Sequence, residues 1–530
     1  MMPFLFKLSC NMLHKKGIHF YLVIGLFVVY LINGLITIPR NSVTYDEMDH
    51  WSYGKRILMR KTDKVYPFDD ASAMPISGVN AIPRAVQQLM NPGLLKTDGG
   101  FSDIMNGRYV TLIVCLLTGF FIYHWSKQLF GENGALLSLF LFVFCPNLNA
   151  HGALLTTDAY AALFTVSTAY FYWKFIKKSN GLNFFYFCTS LGLAQIVKYS
   201  MVHLIFFFAI VSIFVLIKRR TLISGLGWNL IRLIVLGIVV SFIINLGFLF
   251  NKPGKGLDEF RMVSKTFTAL QSSFIGKLPL PLPAPYIDGM DLTTYMNELG
   301  AGNPNVSDAN YILGQKRIGT GFWYYYITVF ILKTPLTVLL MLVGAIVFLF
   351  VRKKNQGHPS TMLFLFGLIV YFLLMLGLQN NVQIGIRHAL MVYPLLYVLC
   401  GFFVTTSFFQ KRAKLLTGLL VVYSLATYYY FFPNLISYSN ELIPVKKNAY
   451  KVMADSNLDF GQGWYSLEKY RRDHPDVSIV SDQPGVGKFV IGVNDYLNLK
   501  NDYKYRWMYK LKPVGHINHC FLLFDNRTSD

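Results

Sequence analysis

The sequence predicts an α-helical polytopic membrane protein of about 11 transmembrane helices, N-terminus inside and C-terminus outside, with a small C-terminal extracytoplasmic α/β domain. Three observations lead there. The 530 residues are 54% hydrophobic and 16% aromatic but only 14% charged, against about 25% charged in an ordinary soluble domain. The apolar residues fall into stretches of about 20, the length that crosses a bilayer. The basic residues behind the net charge of +22 sit in short clusters between those stretches. That is the positive-inside pattern, and it argues against nucleic acid as a partner.

The apolar stretches lie at roughly 18–38, 108–124, 134–147, 152–173, 182–200, 202–217, 231–250, 327–351, 360–379, 389–409 and 415–432. With the N-terminus inside, the inner connections carry Lys7/Lys15/Lys16, Lys127, Lys174/Lys177/Lys178, Lys218/Arg219/Arg220, Arg352/Lys353/Lys354 and Lys411/Arg412/Lys414. Glu132 is the one carboxylate among them. A shift of one span would place every cluster outside, so the charge pattern selects this phase. The first stretch follows Lys15 and Lys16 without a small-residue cleavage site and reads as a retained helix. The six cysteines (Cys10, Cys115, Cys145, Cys188, Cys400, Cys520) form no CxxC pair, which disfavours a disulfide framework or a zinc site.

Three long segments then lie outside: 39–107, 251–326 and 433–530. The first two are rich in Pro and Gly, and 279–290 reads as an extended, proline-stiffened stretch. The organisation expected is a membrane module over 1–432 and an outer domain over 433–530. The tail should begin with a polar helical region at 446–473, turn at His474-Pro475, and continue through the short apolar runs VSIVSD, KFVIGVND and HCFLLFD as strands.

Asp46, Asp158, Lys198, Lys333, Arg387 and Asp455 all fall on the outer side of this threading. Solvated charges spread over both faces, so convergence on one face points to a site. Tyr45-Asp46-Glu47, with His50 a helical turn later, offers adjacent carboxylates for a general base and a partner, or simply an acidic helix start. Pro146 and His151 mark an outer turn, and Asp158 is expected about two helical turns into the following span. A carboxylate there is a functional-site hypothesis by default; the plainer reading is an internal ion pair. Lys198 has the same logic, with snorkelling as its alternative. Lys333 follows the aromatic group at 322–326, and Arg387-His388 opens a span with a guanidinium suited to phosphate. Gly485-Val-Gly-Lys lacks the rest of a P-loop. Carboxylates and cations together at headgroup depth point to a lipid-linked phosphate and a hydroxyl that displaces it.

These motifs resemble the C-type (GT-C fold) integral-membrane glycosyltransferases, specifically bacterial members of the protein O-mannosyltransferase-like family 39. The resemblance covers nearly the whole chain. It rests on Tyr45-Asp46-Glu47 with His50, on Pro146-Asn147 through His151-Gly152 to Thr156-Thr157-Asp158, and on Lys198-Tyr199. It continues through the proline stretch at 279–290, Gly321-Phe322-Trp323-Tyr324-Tyr325, Lys333-Thr334-Pro335, Gly385-Ile386-Arg387-His388 and Asp455 to Gln462. The resemblance implies Asp46 as catalytic base, with Glu47 orienting it or contacting the acceptor. It implies that Asp158 faces the same cavity and that Lys198, Lys333 and Arg387 meet the phosphate of a polyprenyl-phosphate sugar. His50, His151, His388, Asp455, Asp459 and Gln462 complete the expected substrate-binding set. Relatives usually carry Trp and Asp where this chain has Phe460 and Gly463, so the tail's part is expected to differ and to bear on acceptor choice.

The reaction so implied is an inverting single displacement on the extracytoplasmic face of the cell (inner) membrane. It would join the sugar to a hydroxyl on a protein, glycan or lipid acceptor. No cofactor is assigned with certainty; a divalent metal is an open option, since Asp46, His50, His151 and Asp158 include suitable ligand types. The competing enzyme reading is an oligosaccharide ligase or polymerase using polyprenyl-diphosphate donors. A transporter or lipid flippase would instead place charges near the midplane, with access from both faces.

Overall fold

The computed structural model describes residues 2–93, 101–220, 222–223, 225–351 and 358–527. The expected inner cluster Arg352/Lys353/Lys354 and residues 94–100 of the first outer segment lie outside the described residues. The long helices are α1 (Met2–Thr37), α3 (Phe101–Val143), α5 (Asp158–Lys177), α6 (Gly181–Gln195), α7 (Val202–Lys218), α8 (Leu226–Gly247), α11 (Leu336–Val351), α12 (Pro359–Gln379) and α14 (Ala413–Phe431). Shorter helices fill the order: α2 (Glu47–Leu58), α4 (Pro146–Gly152), α9 (Ala284–Leu299), α10 (Tyr325–Lys333), α13 (Val392–Cys400) and α15 (Trp464–Asp473).

The chain is a mostly helical, multi-pass membrane protein. Among the described residues, 5 helices are long and apolar enough to cross a membrane, or 6 if the bent pair α10–α11 counts as one span. Such segments must be helical, because lipid offers no partner to a free backbone N–H or C=O. Two breaks have plain causes. Ile104–Val143 is 40 residues long, about 60 Å of helix against a hydrocarbon core of about 30 Å. Gly131 interrupts it at φ 75°, a backbone state that glycine reaches without Cβ strain. Between α10 and α11 the axis turns by 115° at Thr334-Pro335. Proline lacks the N–H that would continue the helix and forces the preceding residue into the extended region, where Thr334 lies at φ −96°, ψ 131°.

Three local expectations are corrected. The segment 279–290 is extended only to Pro283, after which α9 begins; Pro285 sits in the first helical turn, where its missing N–H costs nothing. The region 446–473 is α-helical only from Trp464; residues 446–451 and 455–457 form short 3-10 helices. Asp158 is not two turns inside a span. The short helix α4 and the loop 153–157 come first, and Asp158 opens α5 itself, where the free N–H groups of a helix start favour a carboxylate.

In the tail, β3 (Val477–Ile479), β4 (Lys488–Gly492), β5 (Gly515–Ile517) and β6 (Phe521–Asp525) form a sheet of order β3-β4-β6-β5. The β3–β4 pair is parallel, and β6 runs antiparallel to β4 and β5, with Val490 opposite Leu523. Alternation along β4 and β6 divides their side chains. Phe489, Ile491, Leu522 and Phe524 join the main core with Tyr393 and Tyr438, while Val490 packs with Leu467, Val477 and Ile517 on the other face. A two-stranded ribbon, β1 (Asn310–Ile312) and β2 (Gln315–Arg317), is bridged to the tail through Ile312 and Met453.

Candidate active site

Four elements converge on a cavity of about 160 Å³ lined by Asp46, His50, Asp158, Lys198, Arg387 and His388, among others. Asp46 precedes the first residue of α2 but makes no capping bond with its side chain. Its carboxylate instead accepts from the Arg387 guanidinium at 2.5 Å. Asp158 accepts from the Lys198 ammonium and lies 4.0 Å from Arg387. Asp46, Arg387, Asp158 and Lys198 thus alternate in sign along one wall, and their formal charges cancel. Asp158 and Arg387 are 1% and 4% exposed, against 36% for Asp46, so Asp46 is the carboxylate open to an incoming group.

The cavity wall holds unspent polar capacity. Asp158 Oδ2, Thr157 Oγ1, Tyr199 OH and Arg387 Nε are buried without a hydrogen-bond partner. Orphaned buried polar atoms are costly and uncommon, and their meeting in one cavity marks a place for a polar ligand. His50 holds its Nδ1 3.3 Å from the Ser77 hydroxyl, and burial keeps its imidazole below the ordinary value. His388 approaches the Tyr326 hydroxyl at 3.3 Å.

Half of the expected residues lie elsewhere. Glu47 is fully buried and does not line the cavity. Arg108 grips it through Nε at 2.7 Å and Nη2 at 2.6 Å, while the backbone N–H groups of Thr44 and Leu155 donate at 2.8 and 2.7 Å. Every lone-pair direction is used, so Glu47 ties α2 to α3 and to the loop before α5. Lys333 does not reach the cavity either. Its ammonium donates to the Ile436 and Asn457 carbonyls at 2.6 and 2.5 Å. Lys333→Met is expected to leave these carbonyls unpaired and to lower stability by about 1–3 kcal/mol. Thermal unfolding checks this, and loss of donor affinity at unchanged stability would restore a ligand role. Gln462 turns inward, accepting from Phe460 N–H at 2.6 Å and donating to the Leu458 carbonyl at 2.9 Å. Asp459 accepts from Gly461 N–H at 2.9 Å, and burial raises its carboxyl to about 6. His151 is buried outside the cavity lining with Nδ1 unpaired.

The tail loop 455–464 braces the site. Tyr45 N–H donates to the Phe460 carbonyl at 3.3 Å and Ser42 N–H to that of Gln462 at 3.2 Å, which fixes the segment leading into Asp46. Asn457 accepts from Ile386 N–H at 3.0 Å, which fixes the turn carrying Arg387. At Gly385, φ 125°, a Cβ would sit 2.4 Å from the Ser456 hydroxyl, so only glycine allows that approach. The Phe460 ring lies under the Arg387 guanidinium at 4.4 Å, a cation–π contact that holds its plane.

Asp455 is half-buried behind this brace at φ 56°. Burial raises its carboxyl to about 7, with Asp308 and Asp46 adding to the shift while Ser456 N–H and Arg387 oppose it. From about pH 4 to about pH 7 the unfolded chain has released this proton and the folded chain has not. Stability should therefore fall as pH rises through that window and level off above it. Unfolding midpoints at pH 5 and pH 8 should differ less in Asp455→Asn than in the native chain.

Among the described residues no three His, Cys, Asp or Glu side chains converge to hold a metal ion. Asp46 and Asp158 are already neutralised by Arg387 and Lys198, so the open option of a metal does not fit this donor set. Ser72, Thr293 and Asn380, which also line the cavity, went unread in the sequence. Arg108 was missed as well, although a charge opening an apolar stretch was its available signal.

Residues 100–244 match the family model described as dolichyl-phosphate-mannose-protein mannosyltransferase. This segment contains Asp158 and Lys198, and the match bears out the resemblance read from the motifs. The chain is similar to the crystal structure of ArnT from Cupriavidus metallidurans bound to undecaprenyl phosphate. Identity is 13% and the TM-score 0.49, over 96% of this chain and 98% of that one. It is also similar to the oligosaccharyltransferase of Archaeoglobus fulgidus in its apo form, at 12% identity and TM-score 0.46, over 77% of this chain and 52% of that one. No curated protein matches.

Proposed function

We propose that this chain transfers a sugar from a polyprenyl-monophosphate donor to an acceptor hydroxyl, at the extracytoplasmic face of the cell membrane. The observation that carries the reading is the convergence of Asp46, Arg387, Asp158 and Lys198 on one cavity with four unpartnered polar atoms. The matched family's name, with its dolichyl-phosphate-mannose, supports the same donor class.

In this reading the donor phosphate enters between Lys198 and Arg387, and its oxygens compete with the carboxylates for both cations. Arg387 has a free Nε, and a second N–H completes the fork that binds phosphate bidentately. As Arg387 turns to the phosphate, Asp46 is released. Asp46 then takes the proton from the acceptor hydroxyl, whose oxygen attacks the anomeric carbon. The bond from that carbon to the phosphate oxygen breaks, the electron pair leaves on the lipid phosphate, and the configuration inverts. The phosphate departs as a stable anion held by two cations, so no general acid is needed at the leaving group. Residues 433–530 serve as the brace that sets Asp46 and Arg387 at working distance.

The test is a panel of radiolabelled polyprenyl-phosphate sugars offered to the protein in reconstituted membranes. Consumption of a monophosphate donor supports the reading. Consumption of diphosphate-linked glycans alone would replace it with the ligase reading. Arg387→Lys keeps the charge but loses the fork, and should weaken donor affinity by about 10- to 100-fold, as measured by titration with undecaprenyl phosphate.

A further inference from the structure

At the opposite end of the bundle from the cavity, α5, α6, α7 and α8 enclose a groove of about 410 Å³. Its walls are apolar, with Phe175, Phe187, Phe208, Leu216, Leu233 and Leu236 among the lining side chains. Its rim is cationic. Arg219, at the end of α7, donates to the Ile176 carbonyl at 2.8 Å. Arg232, in α8, donates to the Ser179 hydroxyl at 3.2 Å and lies over the Phe175 ring at 5.5 Å. Two guanidiniums from different helices are thus drawn to the α5–α6 turn, which Lys177 and Lys178 lead into. The sequence contains no Asp or Glu between Asp158 and Asp258, so nothing within these four helices neutralises the rim.

We infer that this groove is a site for an anionic phospholipid of the bilayer, with its acyl chains against the apolar walls and its phosphate at Arg219 and Arg232. An apolar slot open to lipid fills with hydrocarbon whatever the headgroup. The paired arginines add the selection, because a basic pocket between helices at a membrane surface favours anionic headgroups. The assignment does not depend on the reaction proposed for the other end of the bundle. By bracing the far ends of α5, which carries Asp158, and of α6 and α7, between which Lys198 sits, the lipid would act as a structural ligand of the bundle.

The experiment reconstitutes the full chain in phosphatidylcholine nanodiscs with graded phosphatidylglycerol and counts retained lipids by native mass spectrometry. Phosphatidylglycerol should be retained and phosphatidylcholine lost. Arg219→Gln with Arg232→Gln should shift the phosphatidylglycerol titration roughly thirtyfold. Leu216→Trp, which fills the groove and keeps both guanidiniums, should reduce retention as well, so the result does not hang on one variant. Lys127→Gln, a basic residue outside the groove, should change nothing. Equal retention of phosphatidylcholine, or unchanged retention in both groove variants, overturns the site. Displacement of phosphatidylglycerol by undecaprenyl phosphate at equal concentration overturns the choice of occupant.

Discussion

Asp46→Asn is expected to lower turnover by about 10²- to 10⁴-fold, the range a positioned general base contributes. Asparagine is nearly isosteric, and the position is 36% exposed, so folding should be unaffected. The informative part is the separation of turnover from binding. Asp46 competes with the donor phosphate for Arg387, so its neutralisation removes a rival. Donor affinity should be equal to or tighter than that of the native chain while transfer collapses. A titration with undecaprenyl phosphate beside a transfer assay measures both quantities. Turnover comparable to the native chain would move the base elsewhere, and weakened donor binding would contradict the hand-off of Arg387.

Glu47→Ala should have the largest effect on stability, about 3–5 kcal/mol. It would leave the fully buried Arg108 guanidinium without its counter-charge. It also strips the acceptor from the N–H groups of Thr44 and Leu155. Arg108→Ala should cost a similar amount by stranding the carboxylate. Replacing both partners, as Glu47→Leu with Arg108→Met, should recover much of the loss, because no uncompensated charge remains. Thermal unfolding in a uniform detergent gives the comparison. Activity per folded molecule should change far less than in Asp46→Asn. The adjacent carboxylates would then be separated experimentally, one for chemistry and one for the fold. A Glu47→Gln protein that folds normally but cannot transfer would reverse that division.

The cavity was largely legible because of where its charges sit. Asp46, Asp158, Lys198 and Arg387 are expensive near hydrocarbon, which singles them out in the sequence, and all four line the cavity. The apolar runs that became β3, β4 and β6 were legible for a similar reason, since their composition favours strands between polar turns. Asp46 and Glu47, by contrast, looked interchangeable. Successive residues at a helix start point about 100° apart, and only the position of Arg108 and Arg387 around α2 decides which carboxylate meets which guanidinium. Lys333 misled for the same reason, since charge and depth suited a phosphate while its direction took it to Ile436 and Asn457.

Composition, apolar length and the placement of basic clusters were therefore enough for the helical membrane class, because the cost of exposing backbone or charge to lipid is local and acts on each segment separately. The tertiary structure alone decided which of those charges share a cavity and that the tail holds them there. The Ser42 N–H donates to the Gln462 carbonyl at 3.2 Å, and a backbone contact of that kind depends on main-chain atoms every residue possesses. It leaves no mark in the order of side chains.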